Sequence, residues 1–156
     1  MSDPTRTVVA APAHLHDRVG QRLGVSAWRA VDQESIDLFA TVTGDRQWIH
    51  VDPRRAASGP FGTTIAHGFL SLSLCAAFVD DALAVENAGM QVNYGLDRVR
   101  FPAPVPVGSR VRGVVDLLRV QEVAGGVQAV VGITVEVAGG AKPACVAELV
   151  IRFLDR

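Results

Sequence analysis

The run from Phe69 to Val79, FLSLSLCAAFV, carries no charged residue, and its apolar groups fall on every side of a helical projection. A helix of that kind cannot lie on a surface with one face in water; it must be surrounded by other parts of the chain. Gly68 stands at its start and Asp80-Asp81 near its end, so the spacing predicts a buried helix from Gly68 to about Leu83. At that length it is too short to cross a bilayer.

What surrounds the helix is written further along. Val127, Ala129, Val131, Ile133, Val135 and Val137 alternate with more polar positions, the period of a strand with one buried face, and Cys145, Ala147, Leu149, Ile151 and Phe153 repeat the pattern. Segments 91–101 and 109–120 complete a run of four late strands, with Gly125-Gly126 and Gly139-Gly140 supplying turns. Consecutive strands joined so briefly are expected to pair antiparallel. The expected fold class is α+β: a curled antiparallel sheet around one central helix. Its outer edges call for protection, which points to a homodimer joined edge to edge.

The N-terminal half is less regular. Residues 1–19 carry no sustained period, and a first strand is expected only over Ser26–Val31. Asp32 offers an N-cap, Ile36, Phe39 and Ala40 recur at helical spacing, and Gly44 reads as a left-handed stop. Asp52-Pro53 then reads as the cap and first position of a short helical turn running to Ser58.

Composition narrows the function classes. At 156 residues the chain makes a single domain, with a core that needs no disulfide or metal. A net charge of −1 gives no electrostatic case for nucleic acid or an anionic membrane. The first residues, MSDPTR, lack an apolar signal core, so a cytoplasmic protein is expected. Cys75 and Cys145 sit in separate apolar segments and read as reduced core residues.

The chemistry-bearing residues cluster between the two halves, in Gly44-Asp45-Arg46-Gln47-Trp48-Ile49-His50 and Ala66-His67-Gly68. Asp45 and His50, five positions apart, would lie about 140° apart around a helix, so they converge only across irregular backbone. An aspartate beside a histidine is equipment for moving protons of water. A glycine opening a helix adds free N–H groups for an oxyanion. Asp45, His50, Asp52 and His67 match no established metal-ligand spacing. Read singly, Asp45 is a turn residue, His50 a packed or exposed loop histidine, and His67 a residue that fixes the turn by hydrogen bonding.

Together with Ile49-His50-Val51-Asp52-Pro53, Ile65-Ala66-His67-Gly68 and Arg98-Val99-Arg100-Phe101-Pro102 through Gly108-Ser109, these residues resemble the MaoC-like, hot-dog-fold, R-specific enoyl-CoA hydratases over roughly residues 20–155. The resemblance implies a hydro-lyase that adds water to trans-2-enoyl thioesters to give R-3-hydroxyacyl thioesters, or the reverse. It carries over Asp45 and His50 as the catalytic pair and Gly68 as the oxyanion donor. The commonest family pattern has Asn-Pro where this chain has Gln47-Trp48, which looks like the branch related to the nodulation N protein. On this reading Gln47, Trp48 and His67 contact substrate. Arg98 and Arg100, on one strand face, together with Arg110 and Arg112, suit the phosphates of coenzyme A. Asn93 and Tyr94 are candidates to line the site across a dimer seam. The acyl-CoA thioester is the partner; no separate cofactor or metal is expected, coenzyme A being part of the substrate. Alternatives are a hot-dog acyl-thioester hydrolase, or a noncatalytic acyl-thioester-binding subunit.

Overall fold

A computed structural model of the chain describes residues 4–156; Met1, Ser2 and Asp3 of the N-terminal segment lie outside them. The expected helix is present as α4, Gly68–Ala82, the longest helix among the described residues. Three short helices precede it: α1 over Gln33–Thr43, α2 over Trp48–Val51 and α3 over Pro53–Ala57. The strands are β1 (Thr5–Val9), β2 (Arg22–Val25), β3 (Arg29–Val31), β4 (Leu83–Val85), β5 (Ala88–Arg100), β6 (Ser109–Val123), β7 (Gly126–Val137) and β8 (Cys145–Asp155). They form one sheet in the order β4-β1-β2-β6-β7-β8-β5, with β3 also on β6. The sheet curls around α4, whose Cys75, Phe78, Val79 and Ala82 pack in one core with Val115, Val131, Ile133, Ala147 and Ile151. This is the hot-dog arrangement, with the inward residues of β7 and β8 at the alternating positions read from the sequence.

Four features depart from the expected pattern. Residues 1–19 are not irregular throughout: β1 pairs antiparallel with β2, and Pro12–Arg18 form a 3-10 helix that buries Leu15 completely. Both strands are too short to display a period, and the pairing that orders them is long-range. The first strand after residue 25 spans only Arg29–Val31, because the ladder is interrupted at Ser26: its N–H donates to the Gly113 carbonyl at 2.9 Å, but Gly113 N–H returns to the Ser26 hydroxyl oxygen, also at 2.9 Å, instead of to a backbone carbonyl. The sheet is not wholly antiparallel either, since β1 runs parallel to β4 with Thr7 opposite Leu83.

Nor does β5 neighbour β6; it pairs with β8. The connection Phe101–Gly108 contains three prolines, which have no N–H to give a hairpin ladder. It crosses over the end of the helix instead, where Ala66 N–H donates to the Val105 carbonyl at 2.8 Å and Val107 N–H to Thr64 at 2.9 Å. That crossing places Phe101–Val105 over the start of α4.

Within one chain α4 is enclosed on one side only. Phe69 and Ser73 are exposed, and Leu72, Ala76 and Ser73 line a groove of about 290 Å³ with Asn93, Tyr94, Gly95 and Leu96 of β5. The expectation of complete enclosure is therefore corrected: one side of the helix is buried against the sheet, and a second apolar side with Phe69, Leu72 and Ala76 faces outward beside an edge strand. Cys75 and Cys145 are free and buried. No helix among the described residues is long and apolar enough to cross a membrane.

Candidate active site

Local signals place the reactive residues. The Asp32 carboxylate caps α1 by accepting the Ser35 N–H at 2.9 Å, and Gly44 ends the helix at φ 77°, where a β-carbon would be strained. Backbone released by Gly44 stays irregular only as far as Gln47; His50 belongs to the helical turn α2, so the non-helical stretch is shorter than the sequence implied. Four irregular residues suffice to turn Asp45 toward His50. Asp52 behaves as read, its carboxylate accepting the Arg55 N–H at 3.0 Å to start α3.

His50 is 7 % exposed, and its position is fixed from two directions. Its Nδ1–H donates to the Ile65 carbonyl at 2.7 Å, while its own carbonyl accepts from Gln33 Nε2 at 2.8 Å. Gln33 Oε1 in turn accepts the Thr64 hydroxyl at 2.6 Å. With the proton on Nδ1, the Nε2 lone pair is left bare, the tautomer a proton acceptor requires. Burial is the largest influence on this imidazole and pushes its pKa below the ordinary value; the Ile65 carbonyl opposes that, His67 adds to it, and Asp45 opposes it.

His67 precedes α4 and is 3 % exposed. Its ring stacks on His50 with centroids 3.8 Å apart and planes inclined 24°, and its Nε2–H donates to the Asp45 backbone carbonyl at 2.9 Å. A carboxylate oxygen of Asp45 and one ring nitrogen from each of His50 and His67 lie within 4.8 Å of one another. Three of the four groups weighed as a metal set thus meet, while Asp52 is occupied as a helix cap.

Gly68 opens α4. Its N–H, like the first N–H groups of any helix, has no acceptor within the helix, whereas Leu70 and Ser71 N–H return to the His67 carbonyl at 3.0 and 3.2 Å. His50 and Gly68 line one cavity of about 380 Å³, rimmed by Phe61, Phe101, Pro102 and Pro104. The walls are otherwise apolar apart from Ser71 and backbone groups. A bare imidazole nitrogen, a helix start and a carboxylate beside an apolar cavity can bind a thioester carbonyl and move protons of a single water.

The remaining expected contacts are more scattered. Gln47 is exposed, and its N–H meets Asp45 Oδ1 at 3.4 Å. Trp48 packs against Gly59 and beneath the Arg55 guanidinium, 4.4 Å from its centroid, and does not line the His50 cavity. Arg98 and Arg100 are exposed at the end of β5 that leads into the Phe101 rim, with Arg100 Nη1 on the Val99 carbonyl at 2.6 Å. Arg110 and Arg112 lie over Trp28, at 5.8 and 4.6 Å, and Arg112 pairs with Glu136 at 2.8 Å; neither lines the cavity. Asn93 and Tyr94 line the groove beside α4. Gln33, Thr64 and Phe61 were not singled out from the sequence, and Phe101 was named only within the family motif, with no role at the site. The prolines that follow it are the sequence signal that could have pointed to the crossing there.

A MaoC-like domain model matches residues 14–139, most of the chain. The chain belongs to the MaoC-like family. It is 54% identical over 143 residues to 3-hydroxyacyl-thioester dehydratase Z of Mycobacterium tuberculosis, covering 91% of this chain and 95% of that one. Nodulation protein N of Rhizobium leguminosarum bv. viciae is 56% identical over 103 residues, 65% of this chain and 64% of that one. Among solved structures, the unliganded R-hydratase PhaJ1 of Pseudomonas aeruginosa aligns with a TM-score of 0.72 at 26% identity, over 88% of this chain and 83% of that one. The hot-dog sheet and helix of this MaoC-like chain thus have counterparts of similar length.

Proposed function

We propose that this MaoC-like protein is a hydro-lyase that interconverts trans-2-enoyl thioesters and R-3-hydroxyacyl thioesters. The observation that carries the reading is the bare Nε2 of His50, held by the Nδ1–H to Ile65 bond beside Asp45 and in the cavity that Gly68 opens. His50 accepts a proton from water, whose hydroxide attacks carbon three. The Gly68 N–H holds the thioester oxygen as negative charge develops there, a role worth about 3 to 4 kcal/mol per donor. The proton that His50 took from that water is returned to carbon two with Asp45 assisting, which regenerates the neutral imidazole, so H and OH from one water enter from one face. The carboxylate, the imidazole and the helix N-terminus supply every group the addition needs, without a cofactor or metal. Relatives named 3-hydroxyacyl-thioester dehydratase, 3-hydroxybutyryl-CoA dehydratase and (R)-specific enoyl-CoA hydratase support the reading.

Coenzyme A is the proposed carrier, with Arg98 and Arg100 meeting its phosphates at the mouth; Gln47 and Trp48 set the loop that carries Asp45. The working unit is a cytoplasmic homodimer in which β5, a 13-residue edge strand exposed along most of its length, pairs with a second copy.

The test follows loss of enoyl-thioester conjugation when trans-2-enoyl-CoA substrates are offered, with chiral analysis of the product. Asp45→Asn and His50→Gln are each expected to lower kcat about a hundred- to ten-thousandfold. Activity surviving in both variants sinks the assignment, and release of free thiol from wild type marks a hydrolase instead. Treatment with a chelator is expected to leave the hydratase rate unchanged.

A further inference from the structure

His67 touches His50, Asp45 and the start of α4 yet has no place in the proton transfers. Its carbonyl receives the Leu70 and Ser71 N–H groups that start α4, its ring lies on His50, and its Nε2–H binds the Asp45 carbonyl. A second ring, Phe39 of α1, sits 5.0 Å away on a tilted plane and closes the stack. With its proton on Nε2, Nδ1 is a lone pair, buried and with no hydrogen-bond partner. A buried acceptor left unpaired is unfavourable, so packing alone selects against histidine here. A phenylalanine would fill the same slot without stranding a polar atom. What phenylalanine lacks is the Nε2–H.

That donor has one acceptor, and its place explains its use. Asp45 is exposed and lies in the irregular stretch between Gly44 and Gln47; besides this bond, the loop's contacts are local, among them Asp45 N–H to Thr43 Oγ1 and Gln47 N–H to Asp45 Oδ1, both at 3.4 Å. The 2.9 Å bond from His67 is the shorter one, and it ties residue 45 to the helix that carries Gly68.

We propose that His67 is the positioning residue of this site, its Nε2–H to Asp45 carbonyl bond holding the Asp45 carboxylate at His50 and in register with Gly68. The proposal rests on the hydratase reading for its rate consequence, but its structural half is measurable without substrate. The titratable groups facing His50 are Asp45 from the loop after α1 and His67 from the start of α4, both beside the cavity rather than in its wall; among the residues that line the cavity His50 alone is ionisable. Asp45 raises the His50 pKa, so removing its charge lowers the titration midpoint only while the carboxylate is held close.

The experiment is a double-mutant cycle read by imidazole NMR on the full chain. The His50 midpoint is measured in wild type, Asp45→Asn, His67→Phe and the double variant. In the wild-type background Asp45→Asn moves the midpoint down. With His67→Phe in place, which keeps the ring and removes the donor, the same substitution is expected to move it by less than a third as much. In turnover, His67→Phe is expected to lower kcat ten- to a hundredfold with KM within twofold, and adding Asp45→Asn lowers it little further. His67→Gln, whose amide nitrogen reaches about where Nε2 stands, recovers most of the loss.

A midpoint shift of undiminished size in the His67→Phe background overturns the proposal, as does a Phe variant that outperforms the Gln variant. If His67→Phe does not fold, the cycle is run on His67→Gln, where the coupling must survive and its disappearance overturns the tether. Wild-type protein without hydratase activity would refute the proposed reaction while the NMR cycle still decides the role of His67.

Discussion

A β-carbon on Gly68 would sit 2.9 Å from Cδ2 of Phe101, closer than such atoms approach in folded proteins. The helix start can therefore lie against the rim of the cavity only as glycine. Phe101 is 40 % exposed, so its ring has room to swing away. Gly68→Ala is thus expected to cost less than about 1 kcal/mol in stability, because alanine's better helix propensity offsets part of the contact. The displaced ring moves at the cavity mouth, and misplacement of about 1 Å can cost roughly a hundredfold. We expect kcat/KM to fall by about ten- to a hundredfold, with partial recovery when Phe101→Ala is added. Steady-state kinetics beside thermal melts of the three variants check this.

The pH response follows from His50. Burial holds its pKa below that of a free imidazole, about 6.5. The base form is active, so the acid limb of kcat/KM is expected below that value, and activity persists into mildly acidic buffer where an exposed histidine would already be protonated. For stability the sign runs the same way. Between the folded and unfolded pKa values the unfolded chain binds more protons at this site, so stability rises with pH across that window and the contribution is flat above about 6.5. A limb above 7 in the free enzyme would contradict the burial described for His50.

Trp48 illustrates what the sequence concealed. It occupies a position that the resemblance assigns to substrate contact, yet its ring packs on Gly59, where a β-carbon would lie 2.9 Å from Cζ3 and 3.2 Å from the Ala56 carbonyl, and Arg55 lies over the ring. Gly59→Ala is expected to destabilise by about 1 to 3 kcal/mol through overpacking, since the new methyl group meets both the indole ring and the backbone carbonyl of Ala56. Gly95→Ala, with open space around its β-carbon, is the control and is expected to be near neutral. Denaturant unfolding of both variants measures the difference.

What was legible and what was not divide along range. The Asp32 and Asp52 caps, the left-handed Gly44 and the alternation in β7 and β8 are local rules, satisfied within a few residues, and the structure keeps each of them. The β1–β2 pair, the placement of β5 beyond β8 and the crossing of Phe101–Gly108 depend on partners far along the chain, and no window of sequence contains both halves of such a pairing. The site shows the same division. Asp45, His50 and Gly68 stand in short motifs. Gln33 was hidden because a helix-start glutamine is ordinarily solvated; its use emerges only when its amide meets the His50 carbonyl and the Thr64 hydroxyl.

Enclosure of α4 was expected and is incomplete within one chain, and that discrepancy makes a prediction. Phe69 is 67 % exposed, Tyr94 58 % and Leu96 46 %, gathered on α4 and the adjoining β5. A strand of 13 residues at a sheet edge, with apolar groups outward, is a surface that pairs with another copy or aggregates. A second copy joined along β5 would cover both the edge and the outward face of the helix, completing the burial that the apolar run Phe69–Val79 demands. Wild-type protein is expected to sediment as a dimer at micromolar concentration. Leu96→Lys buries a charge at the seam on each copy, so it is expected to shift the population to monomer and to lower the melting temperature. Because the edge is freed rather than the core disturbed, circular dichroism of the variant should keep the wild-type shape. A wild-type monomer by sedimentation, or a Leu96→Lys dimer indistinguishable from wild type, would show that the exposed face of α4 is covered by something other than a β5 seam.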